Sequence, residues 1–120
     1  MTRDYDRVLM QRMLDHSRLI VELLARHDQS EGPDDRMVEL ALSRLLTMIG
    51  SAAERVSDST REQYPDIFWQ TAVETKYYLI KHYDEVDLEL VMSISSNRAP
   101  VLIDRLEGVL RDEDSQQQGD

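Results

Sequence analysis

The sequence predicts an all-α protein, an antiparallel up-and-down bundle of four to five helices. Apolar residues recur every three or four positions over long stretches, which is the spacing of one helix face. The chain has only 4 glycines and 3 prolines in 120 residues, so few positions interrupt these stretches. No stretch alternates apolar and polar residues as a half-buried strand does. Long periodic segments joined by short connections favour an up-and-down bundle.

The first helix is predicted from Asp4, a suitable N-cap, to His27. Two histidines, His16 and His27, lie near its apolar stripe. Because they are eleven positions apart on one helix, they are too distant to share a metal ion, and we interpret them as packing or rim residues. The stripe that faces the core consists of Leu9, Met13, Ile20 and Leu24.

The second helix is predicted from about Asp35 to Val56. Gly32-Pro33 breaks the preceding helix, and Asp34 or Asp35 caps this one. Gly50 lies inside the helix among small residues, which allow another backbone to come close at a helix cost of about 1 kcal/mol. We therefore expect a close helix crossing there. The apolar positions step alternately by four and three, as in antiparallel packing: Val38, Leu42, Leu45, Ile49, Ala52 and Val56.

A short helical turn and a third long helix follow. Ser59 and Glu62 have the spacing of a capping box for the turn. Pro65 ends the turn, and Asp66 is the expected cap of the long helix, which ends in the segment 76–83. Its first turns supply four core residues, Phe68, Trp69, Ala72 and Val73.

The last helix is expected to begin after Asp87 as its cap and to kink at Pro100, which lacks a backbone donor and clashes with the preceding turn. Residues 111–120 contain four acids and no apolar side chain. We therefore expect a helical-bundle domain over residues 1–110 and a disordered acidic tail over residues 111–120.

Composition excludes several classes of function. The net charge of −10 argues against a surface-wide affinity for nucleic acid, so any contact with RNA needs a local basic patch. The chain contains no cysteine, which excludes disulfides and thiolate metal sites and favours a reducing cytoplasm. No apolar run is long enough for a membrane span, and the charged N-terminal segment lacks the apolar core of a signal peptide.

Residues 76–83, with the sequence KYYLIKHY, form such a patch. Lys76 and Lys81 are the only two lysines among 14 cationic residues. The segment also holds three of the 5 tyrosines and one of the 3 histidines. Taken alone, these residues also fit ordinary packing at a helix end.

Roughly residues 5–110 resemble HepT-like proteins of the HEPN superfamily. The resemblance depends on an ordered set of positions: a helix with an Ile-Gly-x-Ala pattern, a Tyr-Pro pair, an Ile shortly before a Trp, and a helix that ends in the family motif. In this chain these positions are Ile49, Gly50, Ala52, Tyr64, Pro65, Ile67 and Trp69, followed by Val86, Asp87 and Leu88.

The resemblance implies a toxin subunit of a toxin–antitoxin module. In this family an R-x-x-x-x-H-x-Y motif is linked to RNA cleavage, and a minimal nucleotidyltransferase (MNT) antitoxin silences it by transferring AMP to the motif tyrosine. In register, Lys76 takes the position of the arginine, Lys81 that of the histidine and Tyr83 that of the tyrosine. Tyr77 stands where an asparagine is common. The resemblance also implies a homodimer, with Tyr83 as the AMP acceptor, and we expect no metal or cofactor.

The two replacements weaken proton transfer more than charge stabilisation. Histidine suits general acid–base catalysis because its ordinary pKa is about 6.5, whereas lysine at about 10.4 is a poor base unless its pKa is lowered. Lys76 keeps the charge of arginine but not its planar fork. We therefore take Lys76, Lys81 and the adjacent His82 as catalytic candidates. Tyr77 and Tyr78 are the candidates for contact with RNA or a nucleotide.

Three functions fit the sequence. The first is a metal-independent endoribonuclease toxin with an atypical motif, controlled by an MNT partner. The second is a HepT-like bundle that binds a partner protein or a nucleotide and has lost ribonuclease activity. The third is a dimeric interaction module unrelated to RNA. On the helix, position 81 lies about 140° from position 76, so a joint site needs a distorted helix end or a second subunit.

Overall fold

The chain forms a bundle of helices, and the computed structural model describes residues 2–118. No strand occurs among these residues, which confirms the all-α prediction. No helix in the described range is both long and apolar enough to cross a membrane. The helices, in chain order, are α1 (Thr2–Asp28), α2 (Asp35–Arg55), α3 (Asp58–Gln63), α4 (Trp69–Lys81) and α5 (Leu88–Gln118).

The two longest helices, α1 and α5, pack against each other in opposite directions. Arg7 Nη2 lies 2.6 Å from Asp114 Oδ1, and Arg18 Nη2 lies 2.7 Å from Glu107 Oε2. As the chain advances along α1, its partner on α5 moves back, so the pair is antiparallel. The apolar stripe predicted for α1 lies in this interface, and Leu9, Met10 and Met13 are fully buried.

Helix α2 lies between α1 and α4. At one end of the α1–α2 pair, Asp6 accepts a hydrogen bond from Ser57 N at 3.0 Å, and at the other end His27 Nε2 lies 2.7 Å from Asp35 Oδ1. These contacts make α1 and α2 antiparallel. The residues expected to line the α2 seam are mostly buried, among them Val38, Leu42, Ile49 and Ala52.

The start of α3 differs from the predicted capping box. Ser57, not Ser59, is the N-cap, and its side chain accepts a hydrogen bond from Thr60 N. Asp6, only 2% exposed, explains the difference because it accepts hydrogen bonds from Ser57 Oγ at 2.5 Å and from Thr60 Oγ1 at 2.6 Å. A carboxylate from α1 therefore fixes where α3 begins.

The start of α4 also differs from the prediction, which made Asp66 the cap. Phe68 is the N-cap residue, and it forms no side-chain capping bond. Ile67 is only 1% exposed, and Trp69 Nε1 donates a hydrogen bond to Tyr64 O at 2.9 Å. Burial of these side chains holds the chain in a turn, so α4 begins later than predicted.

Helix α5 begins as predicted, since Asp87 Oδ1 accepts a hydrogen bond from Leu90 N at 2.9 Å. Pro100 lies inside the continuous helix, and the predicted kink stays a prediction.

The prediction of a disordered tail is wrong for residues 111–118, which continue α5 to Gln118. Tertiary contacts explain the extension. Glu113 is only 3% exposed and accepts a hydrogen bond from the Tyr64 hydroxyl at 2.6 Å, while Asp114 pairs with Arg7. The acids of this segment are therefore partners of residues far away in sequence. The last two tail residues, 119 and 120, lie outside the described residues.

Candidate functional site

The segment 76–83 forms the end of α4 and the turn that follows. The helix is regular up to Lys81, and His82 is the C-cap, with φ −110° and ψ 31°. His82 N donates a hydrogen bond to Tyr78 O at 2.9 Å, and Glu85 N donates one to His82 O at 2.8 Å. The last two residues of the segment, His82 and Tyr83, therefore lie in a turn.

Gly50 of α2 positions the start of this segment. A β-carbon at Gly50 would lie 2.5 Å from the carbonyl oxygen of Ala72 and 2.5 Å from Lys76 Cβ. Only a hydrogen at this position allows α2 to come so close to α4. The close crossing predicted from Gly50 is confirmed, and it brings Lys76 directly against α2.

Glu54 of α2 binds two residues of the segment. Lys76 Nζ lies 2.9 Å from Glu54 Oε1, and the Tyr77 hydroxyl donates to Glu54 Oε2 at 2.6 Å. Lys76 Nζ also lies 4.9 Å from the centre of the Tyr77 ring, within range of a cation–π interaction. We call these three residues the Glu54 cluster.

The Glu54 cluster keeps Lys76 protonated. The hydrogen bond to Glu54 raises the pKa of Lys76 above its ordinary value, and the hydrogen bond from Lys76, followed by that from Tyr77, lowers the pKa of Glu54. The hydrogen bond to Glu54 also raises the pKa of Tyr77. In this arrangement Lys76 is a cation with its counterion already bound, so it is unsuited to act as a general base.

Tyr78 and His82 form a second group on another face of α4. Their ring centroids are 4.6 Å apart with an interplanar angle of 37°. His82 Nδ1 lies 3.2 Å from Glu85 Oε2. When Nδ1 donates its proton to this carboxylate, Nε2 carries the lone pair that a general base needs.

Lys81 and Tyr83 extend into solvent. Tyr83 is 79% exposed and Lys81 is exposed, and neither makes a side-chain hydrogen bond or ion pair with the described residues. The phenol oxygen of Tyr83 and the ammonium group of Lys81 are therefore accessible to a partner or to a ligand.

The structure thus divides the residues predicted for the site. It joins Lys76 with Tyr77 through Glu54, and it joins Tyr78 with His82. Because α4 stays regular through Lys81, Lys76 and Lys81 remain on different faces, and a single chain does not unite them. The helix end is undistorted up to this point, so the remaining route to a joint site is a second subunit.

Sequence analysis missed two residues beside the segment. Glu54 lies 22 positions before Lys76, and Arg98 of α5 donates a hydrogen bond from Nη1 to Thr75 Oγ1, 23 positions away. Arg98 also lines a cavity of about 20 Å³, whose other lining side chains are mostly apolar and include Ile20 and Leu102. One sequence signal points to this region: residues 40–53, 75–83 and 90–103 contain no acid, although the chain has 24 acidic residues.

No group of three or more histidine, cysteine or acidic side chains in the described range is placed to hold a metal ion. The two histidines of α1 are separate, since His27 pairs with Asp35 and His16 Nδ1 is buried without a hydrogen-bond partner in the described structure. Burial lowers the pKa of His16, which favours a neutral packed ring.

The fold and the candidate site thus define a small helical bundle with a cationic, tyrosine-rich segment at the end of its fourth helix. The chain belongs to the Ribonuclease HepT-like family, whose model matches residues 13–109. This match confirms the family inferred from the sequence. No solved structure matches the chain.

Two relatives come from Methanocaldococcus jannaschii. The chain is 26% identical over 88 residues to the protein named Putative RNase MJ1380, a match that covers 73% of this chain and 81% of the relative. It is 27% identical over 78 residues to the protein named Putative RNase MJ0127, a match that covers 65% of this chain and 64% of the relative. The roles of individual site residues stay predictions.

Proposed function

We propose that this chain is the toxin subunit of a toxin–antitoxin module, a weak endoribonuclease that an MNT antitoxin silences by AMPylation of Tyr83. The observation that carries the proposal is the exposure of Tyr83, which is 79% exposed in the turn after α4. Tyr83 is also the motif position at which this chain has the same residue type as the family motif. We place this activity in the cytoplasm, where RNA substrates and ATP meet.

Silencing requires the Tyr83 oxygen to attack the α-phosphorus of ATP. A new phosphorus–oxygen bond forms, the bond to the bridging oxygen breaks, and pyrophosphate leaves. The phenol proton passes to a base of the partner, since a phenol oxygen is a weak nucleophile until its proton is removed. Lys81 and His82 adjoin Tyr83 in the chain and can attract the triphosphate. The added AMP would then cover the residues that we assign to RNA cleavage.

RNA cleavage at this site uses the substrate's own nucleophile. The 2′-oxygen attacks the adjacent phosphorus, a 2′,3′-cyclic phosphate forms as the bond to the 5′-oxygen breaks, and the 5′-oxygen takes a proton from water. His82 is our candidate for removing the 2′-hydroxyl proton, because Glu85 holds its Nδ1 and Nε2 remains. Lys81 is an exposed cation that can stabilise the charge on the phosphorane.

A homodimer is part of this proposal. In one chain Lys76 and Lys81 lie on different faces of α4, so a second subunit is needed to bring motif residues together. Apolar exposure at the same helix end supports such an interface, since Tyr77 is 51% and Ile80 is 51% exposed. Light scattering at micromolar concentration tests it, and a mass near that of one chain would contradict it.

Co-expression with a candidate MNT antitoxin tests the module. Expressed alone, the chain should slow growth, and co-expression with an active antitoxin should restore it. Tyr83→Phe is the matched variant, since it removes the acceptor oxygen and keeps the ring. It should resist rescue and should carry no AMP by mass spectrometry. AMP found on Tyr77 or Tyr78 would contradict the assignment of Tyr83.

A second candidate function is a non-catalytic HepT-like bundle that binds a partner protein or a nucleotide and has lost ribonuclease activity. The ion pair of Lys76 with Glu54 favours this second function, because the cation is already paired. The absence of a histidine at position 81 favours it as well. Cleavage of a labelled RNA distinguishes the two functions. A non-catalytic bundle leaves the RNA intact after prolonged incubation, whereas the proposed toxin produces fragments that end in a cyclic phosphate.

A further inference from the structure

Arg98 of α5 is a partly buried cation without a carboxylate partner among the described residues. Its Nη1 donates a hydrogen bond to Thr75 Oγ1, and it makes no salt bridge in that part of the chain. The other residues around the adjoining cavity are mainly apolar. A partly buried charge is costly unless it is paired, and an unpaired one is unexpected in a chain with 24 acidic residues. Arg98 is therefore suited to binding an external anion.

Thr75, Tyr78 and His82 lie on the face of α4 that Arg98 approaches. At about 100° per residue these three positions fall within an arc of about 60°. Tyr78 is 47% exposed, and its ring packs on that of His82 at 4.6 Å. Tyr77 instead hydrogen-bonds α2. The two tyrosines that sequence analysis grouped together therefore belong to different faces.

The charge of this face is favourable for a phosphate. Arg105 lies 4.7 Å over the Phe68 ring and Arg98 contacts Thr75, so α5 runs antiparallel to α4. Continued along both helices, this direction places the acid-free residues 90–97 on the side of the acid-free segment 76–83. Glu85, which contacts His82 Nδ1 at 3.2 Å, is a carboxylate at the border of the face. With no acid among these two groups of residues, they present no carboxylate that would repel a phosphate bound to Arg98.

We propose that this α4/α5 face binds single-stranded RNA, with a phosphate on Arg98 and the base of a neighbouring nucleotide stacked on the pair Tyr78–His82. The inference rests on the proposed function and deepens it by naming the residues that hold the substrate. Thr75 uses one N–H of Arg98, and the Nε–Nη2 edge remains for two parallel hydrogen bonds to a phosphate. Arg98 thus supplies the planar fork that Lys76 lacks.

Fluorescence anisotropy with a labelled 2′-O-methyl oligouridine decamer tests the site, because this probe lacks the nucleophile and stays intact. Arg98→Gln should weaken binding about tenfold and reduce the slope of log affinity against log salt by about 0.7, the loss of one phosphate contact. Arg111→Gln removes an exposed cation elsewhere on α5 and should change affinity less than about twofold. Tyr78→Ala should weaken binding about tenfold, whereas Tyr78→Phe keeps the stacking surface and the affinity.

Circular dichroism checks that each variant is folded. If Arg98→Gln unfolds, Arg98→Lys keeps the charge without the fork and should weaken binding several-fold with an unchanged salt slope. Equal affinity losses in Arg98→Gln and Arg111→Gln would overturn the site and leave the proposed function intact. A wild-type chain that does not bind the decamer would overturn the site and the RNA part of the function together. AMP is titrated in parallel, and tight AMP binding that depends on Arg98 would assign the face to a free nucleotide and overturn its assignment to RNA.

Discussion

Gly50 and Lys76 are packed so closely that a β-carbon on Gly50 would lie 2.5 Å from Lys76 Cβ. This approach sets the distance between α2 and α4 at the candidate site. One helical turn further along α2, Glu54 reaches Lys76 Nζ at 2.9 Å. The absence of a side chain at Gly50 therefore supports the contact that holds the first lysine of the segment.

Gly50→Ala should destabilise the protein. The substitution gains about 1 kcal/mol of helix propensity, but overpacking against a backbone carbonyl and a β-carbon costs about 1–3 kcal/mol. Because neither atom is the end of a flexible chain, we expect a net loss of up to about 2 kcal/mol. Gly108→Ala is the control, since the nearest atom to its added β-carbon is Arg111 Nη2 at 3.9 Å. It should gain up to about 1 kcal/mol. Urea denaturation measures both, and a stabilised Gly50→Ala would contradict the close packing.

Asp6→Ala should cost about 3 kcal/mol of unfolding free energy, because it removes several hydrogen bonds to a buried carboxylate and leaves donors without a partner. One of these donors, the Thr60 hydroxyl, belongs to a residue with 0% exposure. Asp15→Ala removes an exposed acid from the same helix and should change stability by less than about 0.5 kcal/mol. Equal effects of the two substitutions in urea denaturation would contradict the role of Asp6 in fixing α3.

Glu54→Gln should lower the pKa of Lys76 toward its ordinary value, because the hydrogen bond to the carboxylate is the main cause of the raised pKa. The chain has only two lysines, so the Nζ signals in an NMR titration are easily separated. The Lys81 signal is the internal control, since Lys81 makes no contact with Glu54 in the described structure. A Lys76 curve that does not move would show that the pair with Glu54 is absent in solution.

The ion pair between Lys76 and Glu54 should contribute to the free energy of unfolding only within a limited pH range. The lowered pKa of Glu54 means that its contribution is present above the ordinary glutamate value and is lost as pH falls through the lowered one. The raised pKa of Lys76 means that its contribution is present below the ordinary lysine value and is lost as pH rises through the raised one. In Glu54→Gln the stability difference from wild type should therefore shrink at both extremes. A difference that stays constant across the titration would contradict this linkage.

Local sequence signals predicted the helices better than their ends. The apolar period of α1 and α2 and the cap at Asp87 were correct because they depend on neighbours within a few residues. The predicted start of α3 was wrong because a distant side chain decides it. Asp6 lies 51 residues from Ser57, and its hydrogen bonds outweigh the local capping box. The predicted start of α4 was wrong because burial of Ile67 and the hydrogen bond from Trp69 to Tyr64 hold the chain in a turn. The segment 111–118 is similar, since acidic composition predicts disorder and burial against α1 and Tyr64 makes it helical.

The sequence predicted where the candidate site lies in the chain, but not which distant residues contact it. Residue types and motif register led to the segment 76–83 without knowledge of the fold. Glu54 and Arg98 could not be assigned from the sequence, because helix pairing brings Glu54 to Lys76 from 22 positions away and Arg98 to Thr75 from 23 positions away. Only the approach of α2 and α5 to α4 reveals that the charge of Lys76 is paired with Glu54 and that Thr75 has a cationic neighbour.

Ribonuclease activity of the wild-type chain should be weak, and Lys81→His should raise it. General acid–base assistance typically contributes about 10² to 10⁴ in rate, and a lysine that stays protonated forfeits most of it. Restoring histidine at this exposed position should therefore increase the cleavage rate about tenfold or more. Single-turnover cleavage of a labelled RNA measures this. Lys81→Gln is the control, since it removes the charge without supplying a group that transfers protons, and it should not increase the rate.

The residual wild-type rate identifies its proton-transfer group. If His82 removes the 2′-hydroxyl proton, His82→Ala abolishes cleavage while Lys81→Ala retains a measurable rate, whereas a lysine base gives the reverse. Glu85→Gln should also slow a His82-dependent rate, because it weakens the partner that orients Nδ1. A folded, dimeric Lys81→His variant that remains inactive would mean that the missing arginine fork at position 76 limits cleavage as much as the missing histidine. A wild-type chain that cleaves as fast as a relative with the complete motif would contradict the importance of both replacements.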